Sequence, residues 1–248
     1  MSVTIWLLIS NTVLFILLGV FSTIRTSDTR WAFIFDFFSI LPATAILAWY
    51  GEGVGWRRIL ITGLVTIYVA RMLYTLFAWF GATGAKRLKD QASKSAILVL
   101  PFFLVPIFSW IYPLPFFAAM DRTGNFNVFD ATALTLYAVG TVFHFGADLQ
   151  KWRYRLDPAN KGNLLQRGFW GMSRHPNYFG DFIIYLSFAL ISVWPWGVIS
   201  PVTNFLQYLF DAIPKNEKGA QTRYGETWKV YVDTTPTFLP LRFCRKRF

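Results

Sequence analysis

Runs of about 20 apolar residues recur along this chain, the length an α-helix needs to cross the hydrocarbon core of a bilayer. They cover Val3–Ile24, Trp31–Tyr50, Ile59–Phe80, Ala96–Phe117 and Val128–Ala147. Two shorter runs, Tyr178–Trp194 and Trp196–Phe210, meet at Trp194-Pro195-Trp196 and read as a hairpin. Inside a bilayer the backbone must satisfy its own hydrogen bonds, so such runs fold as helices. The sequence therefore predicts an all-α integral membrane bundle of about seven transmembrane helices in a single domain over residues 1–248. Pro101 and Pro106 are expected to kink the fourth span, and Pro113 and Pro115 to end it.

Charge sets the orientation. With seven spans, loops one, three and five share a side with the C-terminus and together with the tail hold twenty Lys and Arg. The opposite side holds Arg57, Arg58 and Arg122, and Arg71 falls inside the third span. The positive-inside rule then puts the N-terminus outside and the C-terminus in the cytosol, with Asp148–Arg174 and Asp211–Phe248 on the cytosolic side. A net charge of +11 in short loops beside apolar spans fits an anionic lipid surface, not nucleic acid. Two histidines and one cysteine, Cys244, leave no expected metal site and no internal disulfide. The first 24 residues lack a basic leader and a cleavage site, and read as a retained span.

The segment from Arg174 to Asp181 carries a cation, an imidazole, an amide, a phenol and a carboxylate at the mouth of an apolar run. Polar groups there cost stability unless they are solvated or paired, which points to a site. Pro176 suits the first position of a helix, which sets Asn177, Tyr178 and Asp181 close to one face. Free N–H groups at that start would favour an anion or a carboxamide. The bland alternative is a capped helix with interfacial anchors. Upstream, Lys151 and Arg155 are four apart, a spacing that suits a phosphate monoester, or equally ordinary snorkelling. In the tail, Glu217, Tyr224, Trp228 and Tyr231 lie near one helical stripe that Gly225 interrupts. Asp36, Arg71, His144 and Asp148 are intramembrane ionisable groups and functional candidates by default. Asp36 and Arg71 also have the option of pairing across spans two and three. Tyr74, one turn after Arg71, is a candidate proton donor.

Three segments, Gly146–Arg155, Gly168–Asp181 and Arg223–Tyr231, resemble in order and spacing the C-terminal half of membrane sterol reductases. The length is closer to compact steroid 5α-reductase-like proteins, including the DUF1295 group. The resemblance covers Phe145–Leu241, about 40% of the chain. Isoprenylcysteine carboxyl methyltransferases carry a similar Arg-His-Pro-Asn-Tyr run and bind S-adenosylmethionine. Trp170-Gly171 and Gln150-Lys151 are closer to the reductases. The resemblance implies that residues 128–248 bind NADPH and residues 1–127 bind the substrate. Lys151 and Arg155 would hold the phosphate of the adenosine end. Trp170, Arg174, His175, Asn177, Tyr178 and Asp181 would line the pyrophosphate and nicotinamide region. Glu217, Tyr224, Trp228 and Tyr231 would close over adenosine or ribose. The N-terminal half departs from the steroid pattern: Ser39-Ile40-Leu41-Pro42 stands where a Gln-Glu-Leu-Pro run is expected.

The expected function is NADPH-dependent reduction of a C=C bond in a sterol- or enone-like lipid drawn from the bilayer. Tyr74 or Asp36 would act as acid, and the cofactor site would face the cytosol of a bacterial inner membrane or endoplasmic reticulum. The alternatives are an S-adenosylmethionine-dependent membrane methyltransferase and a lipid-binding scaffold without turnover.

Overall fold

A computed structural model of the chain describes residues 2–26, 30–79 and 94–241. Cys244, the basic tail after it and the Lys and Arg residues expected in loop three before Lys94 lie outside the described residues. The helices are α1 (Val3–Thr26), α2 (Arg30–Tyr50), α3 (Gly55–Tyr74), α4 (Lys94–Pro106), α5 (Leu114–Ala119), α6 (Val128–Leu156), α7 (Phe169–Met172), α8 (Pro176–Ser192), α9 (Ile199–Gln207), α10 (Ile213–Tyr224) and α11 (Glu226–Thr234). No strand occurs among the described residues. Among the described residues, five segments are long and apolar enough to cross a membrane: Val3–Thr26, Arg30–Tyr50, Gly55–Phe77, Val99–Ala119 and Val128–Leu156. The protein is an all-α integral membrane protein. It divides into two compact units, Met1–Phe126 with Ile191–Ser200, and Asn127–Leu190 with Pro201–Phe248.

In the first unit α1 packs chiefly on α2. Gly19 lets α4 approach α1 as well, because a Cβ there would stand 3.2 Å from the Pro101 Cβ. Polar pegs fix the register: Asn11 Nδ2 donates to the Ser39 carbonyl at 3.1 Å, and Trp110 Nε1 to Thr12 Oγ1 at 2.8 Å. Pro113 and Pro115 do not end the fourth span. After a π-helical turn at Ile107–Ile111 the chain re-enters helix at Leu114 with Pro115 in its first turn. Proline is tolerated there because first-turn N–H groups have no intrahelical partner. Arg57 and Arg58 are not free loop charges either. Arg57 is fully buried and donates to the Arg122 carbonyl at 2.8 Å, while Arg58 donates to those of Ala48 and Gly51. They close a joint in which Gly53 lies so near Met120 that a Cβ would sit 2.5 Å from its carbonyl oxygen.

In the second unit α6 starts at a capping box, Asn127 with Asp130. Its 29 residues extend roughly 43 Å, longer than the ~30 Å hydrocarbon core. Its last turns therefore project beyond the apolar layer. α8 begins at Pro176 and has 17 residues. The two helices touch backbone to backbone: a Cβ on Gly180 would stand 2.3 Å from the His144 nitrogen and 2.6 Å from the Gly140 carbonyl oxygen. Small residues allow this approach inside a membrane. The segment Thr235–Leu241 is a non-helical strap, and its Phe238 ring packs on Phe179, Phe182 and Phe205 of α8 and α9.

Gly180→Ala should destabilise the protein by about 1–3 kcal/mol through overpacking. Gly219→Ala, with open space around its α-carbon, should be neutral or stabilising. Thermal unfolding of the two variants in detergent checks the contrast; equal midpoints would contradict the close α6–α8 contact.

Candidate active site in the second unit

The polar segment identified at the mouth of α8 folds around Arg174. Arg174 is 8% exposed and its side chain is almost fully used by the chain. Nε donates to Glu217 at 2.9 Å. Nη1 donates to the Val232 carbonyl at 3.0 Å and to that of Thr235 at 2.6 Å. Nη2 donates to Thr237 Oγ1 at 2.7 Å. Four of about five guanidinium N–H groups are thus occupied. The backbone N–H groups of Arg174 and His175 donate to Pro236 and Thr237 of the strap. The donors just before the helix are therefore filled by the protein itself.

His175 Nε2 lies 3.1 Å from the same Glu217 oxygen. Burial lowers the imidazole pKa, the Glu217 carboxylate acts against that, and the net shift is downward. A carboxylate only accepts, so neutral His175 carries its proton on Nε2 and leaves Nδ1 as acceptor. Burial pushes the Glu217 carboxyl up, but the hydrogen bonds from His175 and Arg174 and the Arg174 charge together hold it below its ordinary value. His175, Tyr178 and Tyr208 form a stack, with centroids 5.3 and 4.2 Å apart and rings within 4° and 7° of parallel. Asn216 Nδ2 donates to the Tyr178 oxygen at 2.7 Å.

Asp181 is buried and accepts from Asn204 Nδ2 at 2.9 Å and from the Tyr208 hydroxyl at 2.6 Å. His144 Nδ1 stands 3.1 Å from its other oxygen. Asn177 Nδ2 donates to Asp148 at 3.0 Å, while Asn177 Oδ1 is buried without a hydrogen-bond partner among the described residues. Asn204 Oδ1 is likewise buried and unpartnered. Lys151 Nζ sits over the Trp170 ring, 4.1 Å from its centroid, and Trp170 Nε1 is fixed to the Ala147 carbonyl at 2.9 Å. Arg155, one turn beyond Lys151, is exposed.

Other expected site residues have structural work. The buried Tyr231 hydroxyl donates to the Trp170 carbonyl, and Trp228 packs on Tyr231 with centroids 5.4 Å apart. Tyr224 ends α10, where Gly225 at φ +52° starts the turn into α11. Asp36 and Tyr74 belong to the first unit. Asp36 is fully buried and, among the described residues, neither carboxylate oxygen has a hydrogen-bond partner, so the optional pairing with Arg71 is not made. Tyr74 is 52% exposed. Asn204, Tyr208 and Asn216 escaped the sequence reading. Asn204 and Tyr208 are four apart in an otherwise apolar run, the signal from which a shared face was readable.

The His175–Glu217 pair gives a signed pH dependence. A histidine whose folded pKa is depressed below 6.5 costs stability as pH falls through about 6.5. A carboxylate depressed below 4.5 gives stability that is lost as pH falls through its folded value. Both therefore weaken the fold on acidification from neutral pH. His175→Asn should flatten the loss between about pH 7 and 5, and Glu217→Gln the loss below it. Melting temperature against pH in detergent reads this; a midpoint rising from pH 7 to 5 would contradict a neutral imidazole.

The chain is similar to several sterol reductases over part of its length. Delta(14)-sterol reductase of Arabidopsis thaliana is 32% identical over 116 residues, 41% of this chain and 30% of the relative. Delta(14)-sterol reductase erg24 of Schizosaccharomyces pombe is 32% identical over 116 residues, 40% of this chain and 26% of the relative. Delta(14)-sterol reductase of Methylotuvimicrobium alcaliphilum is 30% identical over 122 residues, 42% of this chain and 28% of the relative. The chain thus spans less than a third of the length of these curated relatives. A family model described as a protein of unknown function (DUF1295) matches residues 14–235, from within α1 to just past α11. With most of its length matched, the chain belongs to the DUF1295 family.

Proposed function

We infer that the protein is a membrane-embedded, NADPH-dependent reductase of a C=C bond in a hydrophobic sterol- or enone-like lipid. The observation that carries this reading is the pair of buried acceptors left without a partner among the described residues, Asn177 Oδ1 and Asn204 Oδ1. A buried carbonyl oxygen without a donor costs stability, and a nicotinamide carboxamide offers the N–H groups that would satisfy it. Lys151 and Arg155 fit a phosphate monoester. Arg174 does not fit the pyrophosphate role, because its donors are spent on Glu217 and the strap.

NADPH, when bound, supplies the hydride, and the protein supplies position and electrostatics. Lys151 and Arg155 hold the adenosine phosphate, and Trp170 fixes the Lys151 ammonium by its ring face. Neutral His175 and the stacked Tyr178 and Tyr208 give a rigid planar wall, and Asn177 sets the carboxamide. The proton that completes reduction is assigned to Asp36 or Tyr74 of the first unit. The sterol reductase relatives point to a lipid acceptor. The same reading takes α8, together with α9 and the helical segment after it, as spans six and seven. That puts the N-terminus outside and the cofactor site in the cytosol.

Thermal shift of the detergent-purified chain with NADPH, NADH and S-adenosylmethionine in parallel tests the reading. A ligand at 100 times its dissociation constant stabilises by about 2.7 kcal/mol. NADPH should raise the midpoint and S-adenosylmethionine should not. Lys151→Ala with Arg155→Ala should weaken NADPH roughly 10- to 150-fold, as loss of charged hydrogen bonds at ~1.5–3 kcal/mol implies, and leave NADH nearly unchanged. Stabilisation by S-adenosylmethionine alone would overturn the reductase in favour of methyl transfer.

A further inference from the structure

A cavity of about 710 Å³ opens on α6 away from the site just described. Its walls are apolar, formed by Leu149 of α6, Leu165, Phe169 and Met172, and its rim carries Arg153 and Arg167. At 3.6 residues per turn Arg153 lies roughly 160° around α6 from Lys151, so the cavity and the Lys151–Arg155 pair occupy opposite faces. The volume falls within the ~300–1,000 Å³ typical of small-molecule sites.

Gln150 and Asp157 of the lining are already committed. Gln150 donates to the Arg167 carbonyl and accepts from the Phe169 nitrogen, both at 3.1 Å. This amide holds the loop around Gly168, whose φ is +61° and whose Cβ position it would occupy. Asp157 accepts from the Ala159 nitrogen at 2.9 Å and from Asn160 Nδ2 at 3.2 Å. Both arginines are exposed, and among the described residues neither guanidinium has a hydrogen-bond or carboxylate partner; Arg167 only lies 5.8 Å above the Tyr154 ring. Two uncommitted guanidinium groups thus border an apolar hollow.

Depth selects the ligand. The 20 residues from Val128 to Ala147 cover ~30 Å, the full apolar thickness of a bilayer. The cavity, starting at Gly146, therefore lies level with the lipid headgroups. We propose that it binds an anionic phospholipid, with Arg153 and Arg167 on the headgroup phosphate and the start of the acyl chains against Leu149, Phe169 and Met172. Guanidinium forks match phosphate oxygens, and basic pockets beside membrane helices suit anionic headgroups. A soluble phosphate would use the arginines but leave the apolar walls wet. The proposal rests on α6 crossing the membrane and is independent of the reductase reading.

Native mass spectrometry of the full chain, released from detergent with equimolar phosphatidylglycerol and phosphatidylcholine, tests it. The wild type should retain phosphatidylglycerol at least five-fold over phosphatidylcholine. Arg153→Gln with Arg167→Gln should abolish that preference. Lys215→Gln with Lys229→Gln, which removes equal charge from α10 and α11, should keep it. Met172→Trp, which fills the hollow without changing charge, should lower retention and serves as the second probe if the double arginine variant does not fold. Equal retention of both lipids by the wild type would overturn the proposal, as would a preference that survives both cavity variants. Displacement of the lipid by glycerol 3-phosphate at matched concentration would also overturn it, in favour of a soluble anion.

Discussion

The second unit depends on one buried guanidinium. Arg174 stands at the entry of α8 and bonds at once to α10 through Glu217, to α11 through the Val232 carbonyl, and to the strap through Thr235 and Thr237. A charge taken out of water is tolerated only when nearly every donor finds a partner, and removing one side of such a pair costs about 3–5 kcal/mol. These bonds connect segments that are 43 to 63 positions apart in sequence. Without them the order of α8, α10 and the strap would rest on the backbone bonds of Arg174 and His175 to the strap, the His175–Glu217 and Asn216–Tyr178 bonds, and the Phe238 ring contacts. The His175 ring is positioned as a consequence, since it shares the Glu217 oxygen that Arg174 fixes.

That division separates polar groups used by the fold from those left for a ligand. Arg174, Tyr231 and Gln150 are conspicuous in the sequence, yet their polar atoms bind other parts of the chain. Asn177 is less conspicuous, and half of its amide remains unsatisfied in a buried place. Asp181 falls between the two groups. Asn204 and Tyr208 hold one of its oxygens, and His144 approaches the other because Gly140 and Gly180 bring their helices into backbone contact. The glycines thereby set an electrostatic distance, linking a packing constraint to the chemistry of the site.

Much of this was legible in the sequence, at the level where short-range rules apply. Pro176 marks the start of α8 and Gly225 the break between α10 and α11, because one needs no donor and the other tolerates positive φ. Apolar runs located the helices, and clustered polar residues marked the polar network around Arg174 and Asp181. Partner choice was not legible. Nothing local to Arg174 says that its donors end on residues 217 to 237, and nothing local to Asp36 says that Arg71 leaves it alone. Proline rules also misread the fourth span, since Pro115 ends a helix or begins one depending on whether helix resumes after it.

Counting positive charge per loop treats Lys151, Arg153, Arg155 and Arg167 as equivalent contributions to orientation. The structure gives them different environments. Lys151 is held on an indole face beside the polar network, whereas Arg153, only two residues away, faces an apolar hollow on the other side of the same helix. A helix emerging from a membrane presents alternate residues to nearly opposite surroundings, because two steps turn it through roughly 200°. One basic segment can therefore serve two ligands, one soluble and one from the bilayer, without a residue in common. Orientation is a sum over such residues, but binding depends on each side chain's own neighbours. For that reason charge arithmetic speaks only to orientation and leaves the assignment of each basic residue to geometry.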